Sequence, residues 1–182
     1  RHHLVVILAG YNEPMDRLLR SNPGLSSRFP RHLAFPNYSP VELCRIIERL
    51  CQQNSYHLPP STRARVLIGV TAATEAADEH FGNGRFVRNL FEDAIRRMAS
   101  RIAGIVPLTH EVLTTLADDD FDFEGVAGVE LPEGGQSGRS CTFACPGCSF
   151  DATLPVVALG TRHDCRQCGE QFVADWGPLV DV

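Results

Sequence analysis

Phe81-Gly82-Asn83-Gly84-Arg85-Phe86-Val87-Arg88-Asn89-Leu90 is the stretch from which the fold is read. Gly82, Asn83 and Gly84 punctuate the chain, and Asn83 has the side chain of an N-cap. Val87, Leu90, Phe91, Ala94, Ile95, Met98 and Ile102 then recur at helical spacing, so one face of a long helix, to about Ala103, is apolar. Glu92 with Arg96, and Asp93 with Arg97, are i,i+4 pairs for its wet side. Arg85 and Arg88 sit in the first turn, where free N–H groups and the helix dipole favour an anion over a cation. A bound phosphate would reverse that penalty by accepting from amides and arginines together. Two solvated arginines are the alternative, and physics alone favours them.

The rest of the chain sets bounds on function. Its 182 residues suffice for one domain and a small module. No apolar run approaches a membrane span and no secretory signal is present. The opening Arg1-His2-His3 carries no initiator Met, which reads as a segment of a longer chain. All 17 basic residues are Arg, so no P-loop, whose motif needs Lys, lies within these residues. Residues 1–117 hold 14 Arg against 10 acids, residues 118–133 seven acids and no base, and residues 141–182 two Arg against five acids. No part has the basic footprint of a nucleic-acid binder.

Leu4–Ala9 is a continuous apolar run before Gly10 and reads as a buried parallel strand, with a short apolar helix as the alternative. Tyr11 and Asn12 then fall where open α/β sheets place ligand contacts. Asn12 caps a helix to about Arg20, with Met15, Leu18 and Leu19 inward. Asn22-Pro23-Gly24 is a turn, Leu25–Arg31 a loop with two arginines, and His32–Phe35 a short second strand. Ser39-Pro40-Val41-Glu42 is a capped start for a helix to about Gln53, burying Leu43, Ile46, Ile47 and Leu50. A further helix spans Ser61–Ala73 with no clear apolar face, and a short last one, Leu108–Leu116, is capped by Thr109. Asp118–Ser140, acidic and rich in Gly, reads as a flexible linker.

Five of the seven cysteines follow residue 140; Cys44 and Cys51 read as buried apolar positions of a helix. Cys145-Pro146-Gly147-Cys148 and Cys165-Arg166-Gln167-Cys168-Gly169 are two Cys-x2-Cys pairs with 16 residues between. Each pair fits a knuckle turn that presents two thiolates to one side, and two knuckles supply a closed, structural tetrahedral Zn2+ site. A module of this size has too little core to fold without such a staple. A redox dithiol pair and an Fe–S site are the other chemistries open to this spacing, with Cys141 and His163 nearby as spare ligands.

An ordered series runs through the first 117 residues: Val5–Tyr11; Met15-Asp16; Asn22-Pro23-Gly24-Leu25 with Ser27-Arg28-Phe29; Phe35–Ser39; and Phe81–Arg85 with Val87–Leu90. This series resembles the C-terminal half of the AAA+ ATPase domain in the CbxX/CfqX family, which includes red-type rubisco activases and the sporulation stage V protein K. The resemblance implies an α/β fold: the C-terminal part of a P-loop core (residues 1–36), an all-α lid (37–117), the acidic linker (118–140) and a small β zinc ribbon (141–177). It implies that Arg28 is an arginine finger aimed at the γ-phosphate on a neighbouring subunit, assisted by Arg31. Arg85 is then the sensor 2 arginine of the lid, and sensor 1 falls at Tyr11 or Asn12. Walker A and Walker B, which bind ATP and Mg2+, are missing from these residues. This segment alone is therefore expected to be inactive.

The function implied is that of a cytoplasmic AAA+ ATPase, a homo-oligomeric ring (a hexamer) that remodels a client protein. Neither nucleic acid nor membrane is expected as a partner. The rival is a non-catalytic interaction module built on an AAA+ remnant and a zinc ribbon.

Overall fold

Placement of side chains follows from a computed structural model that describes residues 4–77, 81–123 and 138–180. The chain forms two units, Arg1–Asn37 and Tyr38–Val182. Among the described residues no helix is long and apolar enough to cross a membrane.

In the first unit, Leu4–Ala9 forms no strand: Leu4, Val5 and Ile7 are each more than four-fifths exposed. His32–Phe35 forms none either. A parallel strand exists only where neighbours take its hydrogen bonds and cover both faces. Among the described residues none pairs with these two segments, so their apolar character leads to no sheet. Helix α1 spans Asn12–Ser21, with Tyr11 at the cap position and Asn12 already helical. Met15 and Leu19 are partly covered, but Leu18 is exposed. The expected loop after Gly24 is instead helix α2, Pro23–Arg28. Asn22 caps it, its Oδ1 accepting from Gly24 N–H at 3.0 Å, and proline at the first helical position is as compatible with a helix start as with a turn.

In the second unit, α3 (Pro40–Gln53) starts on a full capping box: the Ser39 hydroxyl accepts from Glu42 N–H and the Glu42 carboxylate from Ser39 N–H. Leu43, Cys44, Ile47 and Cys51 are buried, while Ile46 and Leu50 pack at its margin. Helix α5 (Gly84–Ile102) buries Val87, Leu90, Phe91, Ala94 and Met98, the face expected from periodicity. Asn83 does not cap it. Its Oδ1 accepts from Tyr38 N–H at 3.1 Å, which ties the start of α5 to the chain entering α3. Arg96 pairs with Asp93, and Arg97 reaches Asp122. Helix α6, His110–Thr114, is capped by the Thr109 hydroxyl.

Helix α4, Pro60–Glu75, explains why no apolar face was legible there. Thr62, Ala64, Val66, Leu67, Ile68, Gly69, Val70 and Ala73 are buried, so it is covered nearly all round. A helix buried on every side needs no polar stripe. Its neighbours are α3, the 3-10 turn Asp118–Asp120, and two parts of the C-terminal sheet region.

The start of the expected linker is not free chain. Phe121 and Phe123 are fully buried. Asp120 is buried too, its carboxylate accepting from Arg101 Nε at 2.9 Å, Arg101 Nη2 at 2.7 Å and Ala117 N–H at 2.7 Å. Arg65 Nε donates to the Phe121 carbonyl at 3.0 Å. Burial of two aromatic rings and these bonds overrides the acidic composition that read as solvated. Residues 124–137 of the linker, with Gly125, Gly128, Gly134 and Gly135, lie outside the described residues, and its last residue, Ser140, begins a strand.

The C-terminal region forms two small antiparallel sheets. In one, β1 (Ser140–Ala144) lies between β2 (Asp151–Pro155) and β5 (Leu179–Val180). The other is the hairpin of β3 (Arg162–Asp164) and β4 (Gln171–Val173). Its buried residues, including Phe143, Val156, Leu159, Phe172 and Trp176, join those of α3, α4 and α5 in a single core.

Candidate functional site

Two turns of matching construction carry the four cysteines. In the first, Cys145 N–H donates to Phe150 O and Ser149 N–H to Cys145 O, both at 2.8 Å. In the second, Cys165 N–H donates to Glu170 O and Gly169 N–H to Cys165 O, both at 2.9 Å. The fourth residue after each first cysteine, Ser149 or Gly169, has φ of 58° or 76°, so both turns close through the left-handed region. This doubling brings the four sulfurs together: Cys145 to Cys168 and Cys148 to Cys165 are each 3.7 Å, and all four lie within 4.8 Å of one another. A Zn–S bond of about 2.3 Å places tetrahedral sulfurs about 3.8 Å apart. A disulfide would need about 2.05 Å. The four residues therefore fit one tetrahedral ion, and all are free thiols.

The surroundings already favour a thiolate at one position. Backbone N–H groups of Cys168 and Gln167 hold the Cys165 thiol down at about 6. At Cys148 a backbone hydrogen bond at Phe150 acts downward, but burial and the other three sulfurs together raise it to about 12. A divalent ion lessens that crowding penalty by attracting all four thiolates, offsetting two of their four charges. The remaining cysteines are unlike these: burial pushes Cys51 up to about 12 and Cys141 to about 11, and Cys44 higher still. They behave as small apolar core groups. His163 is not turned to the sulfurs; its Nε2 lies 2.7 Å from the Thr161 hydroxyl.

The residues expected to contact nucleotide fall in both units. In the first unit, Tyr11 and Asn12 are exposed at the start of α1, and Arg28 is exposed in the last turn of α2, its Nη1 donating to Gly24 O at 2.9 Å. Arg31 is likewise exposed. In the second unit, Arg85 is exposed in the first turn of α5 and Arg88 is exposed at the start of the second. Of the site residues expected from sequence, the four cysteines converge as a set.

Residues 39–127 match the family described as AAA lid domain, and this segment contains α3 to α6 and the packed Asp118–Phe123. This segment is an AAA lid. The chain is also 38% identical over 125 residues to protein CbbX of Cereibacter sphaeroides, covering 66% of the chain and 39% of that relative. It is 37% identical over 123 residues to stage V sporulation protein K of Bacillus subtilis, covering 65% and 38%. With the chloroplastic ribulose bisphosphate carboxylase/oxygenase activase of Cyanidioschyzon merolae it shares 41% over 102 residues, covering 56% and 34%. The chain is thus part of an AAA+ protein of the CbbX and stage V sporulation protein K family, and spans under two fifths of the length of these relatives. The four-cysteine region, residues 138–180, follows the lid match.

Sequence reasoning missed a second group of residues, at the junction of the lid and the four-cysteine region. Glu48 of α3 accepts from Trp176 Nε1 at 2.6 Å through Oε2, and its Oε1 pairs with Arg63 of α4. The Arg63 guanidinium carbon lies 5.2 Å from the centre of the Trp176 ring, within cation–π range. Nearby, Arg45 pairs with Asp175 at 3.1 Å. The available signals were the missing polar stripe of α4 and the lone Trp of the chain.

Proposed function

We propose that this chain is the sensor, arginine-finger and lid portion of an AAA+ ATPase that couples ATP binding and hydrolysis to remodelling of a client protein. The observation that carries the reading is the AAA lid match over residues 39–127. Arg28 contacts the γ-phosphate held by the neighbouring subunit of a homo-oligomeric, hexameric ring. Arg85, at the start of the lid helix α5, contacts the nucleotide of its own subunit, and Tyr11 or Asn12 serves as sensor 1. The supporting features are exposure of both guanidinium groups and the position of Arg85 in the first turn of a long helix, where an anion is favoured. Side chains that bind Mg2+ and the phosphate chain lie outside this segment, and the protein acts in the cytoplasm.

The four cysteines hold one Zn2+ in a closed structural site, which supplies folding free energy and no catalytic position. Phosphate release by the full-length protein tests the reading. Arg28→Ala should lower turnover by roughly 10³-fold or more, the range of an arginine finger, and Arg85→Ala should weaken turnover or nucleotide affinity. Full turnover and affinity in both variants would contradict it.

A further inference from the structure

We propose that metal held by Cys145, Cys148, Cys165 and Cys168 stabilises the helical lid as well as the ribbon, through the Glu48–Arg63–Trp176 junction. The inference rests on the reading of these cysteines as a zinc site.

The first observation is the burial of α4. Were the ribbon an independent appendage, α4 would carry a polar stripe where no lid helix covers it. It is instead apolar on nearly all sides, and the 3-10 turn Val156–Ala158 and strand β5 of the ribbon lie against it. Undocking the ribbon would wet that surface.

The second observation is the junction itself. Trp176 is 2% exposed. The side chains of Arg63 and Glu48 are 16% and 20% exposed. A buried indole N–H, a carboxylate and a guanidinium satisfy one another here, so parting them leaves groups that need water. Gly160 admits the Arg63 stem: its φ is +79°, and a Cβ there would meet Arg63 Cδ and Nε at 2.9 Å.

The third observation connects junction to metal. Gly160 N–H donates to Ala174 O at 2.7 Å, and Ala174 N–H to Thr161 O at 2.9 Å. These bonds extend the β3–β4 hairpin to the residues that touch Arg63 and lead to Trp176. The other end of the same hairpin is the Cys165–Cys168 knuckle. An ion at the knuckle therefore fixes the hairpin, the hairpin fixes Trp176, and Trp176 fixes the ribbon on α3 and α4.

The test uses the whole chain, whose lone tryptophan sits in the junction. Zinc content is measured by elemental analysis, Trp176 emission reports docking, and circular dichroism at the helical minimum reports lid melting. Stripping zinc with a chelator should shift Trp176 emission to the red and lower the helical midpoint by about 5 °C or more. Zinc re-addition should restore both. Glu48→Ala should keep its zinc, show a red-shifted Trp176, and lose the dependence of helical melting on zinc. Zinc uptake with a helical midpoint indifferent to the metal would overturn the coupling alone. Undiminished zinc sensitivity in Glu48→Ala would overturn the junction's part in it. A chain that takes up no zinc would overturn the site assignment, and the coupling with it.

Discussion

Gly69, in the middle of α4, lies under the ring of Phe123: a Cβ at this position would stand 2.4 Å from Phe123 Cε2. A mid-helix glycine costs stability relative to alanine by propensity alone. Here it admits an aromatic ring against the helix backbone, and Phe123 is fully buried in consequence. Gly69→Ala should therefore destabilise the lid by about 1–3 kcal/mol, an overpacking cost, despite alanine's better propensity. Denaturant unfolding measures it. The double variant Gly69→Ala/Phe123→Leu should be less than additive; a stabilised Gly69→Ala would contradict the close approach.

The Arg101–Asp120 pair carries the next prediction. The Asp120 side chain is 2% exposed and that of Arg101 33%. Asp120 holds the guanidinium through two hydrogen bonds and also accepts from Ala117 N–H, fixing the turn that brings Phe121 and Phe123 inward. Asp120→Asn keeps the shape but sets an amide N–H₂ against a donor. It should cost about 1–3 kcal/mol in unfolding free energy, moderated because Arg101 can reach water. Amide exchange in residues 115–123 should rise in step. Unchanged stability and exchange would show the segment to be held by its aromatic rings alone.

The cap of α3 gives a pH signature. Hydrogen bonds from the backbone N–H and then the hydroxyl of Ser39 hold the Glu42 carboxyl below its ordinary value. A depressed acid contributes stability that is fully present above its unfolded pKa and is lost as pH falls through the folded one. In unfolding titrations, the difference in stability between the parent and Glu42→Gln should accordingly be constant near neutrality and shrink below about pH 4. Ser39→Ala should cost about 1 kcal/mol at neutral pH. A difference that does not change on acidification would contradict the capping box.

Local rules made α3 and α5 legible. Ser39-Pro40-Val41-Glu42 is a complete capping signal, and the period of Val87, Leu90, Phe91, Ala94 and Met98 matches the buried face of α5. The cysteine cluster was legible for a similar reason, since two short motifs determine two turns. What could not be read depends on long-range neighbours. Leu4–Ala9 is as apolar as a core strand, yet a strand is a property of its partners. The acids of Asp118–Asp122 read as solvated because Arg97 and Arg101 are distant in sequence. Trp176 and Glu48 are 128 positions apart, and neither has a local signal for the other. Asn83 kept its capping chemistry but spent it on Tyr38.

Subunit mixing in the full-length protein tests most directly whether Arg28 acts on the neighbour's nucleotide and Arg85 on its own. An Arg28→Ala subunit with an intact phosphate-binding loop is combined with a subunit that lacks that loop's lysine but keeps Arg28. Steady-state phosphate release is then compared with that of each variant alone. Activity should return, because some interfaces now pair an intact nucleotide site with an intact finger, and loss of such a finger alone costs roughly 10³–10⁵-fold. Arg85→Ala mixed with the same lysine variant should show no recovery over Arg85→Ala alone, since both lesions then impair their own subunit's site. Recovery in the Arg85 mixture with none in the Arg28 mixture would contradict the account.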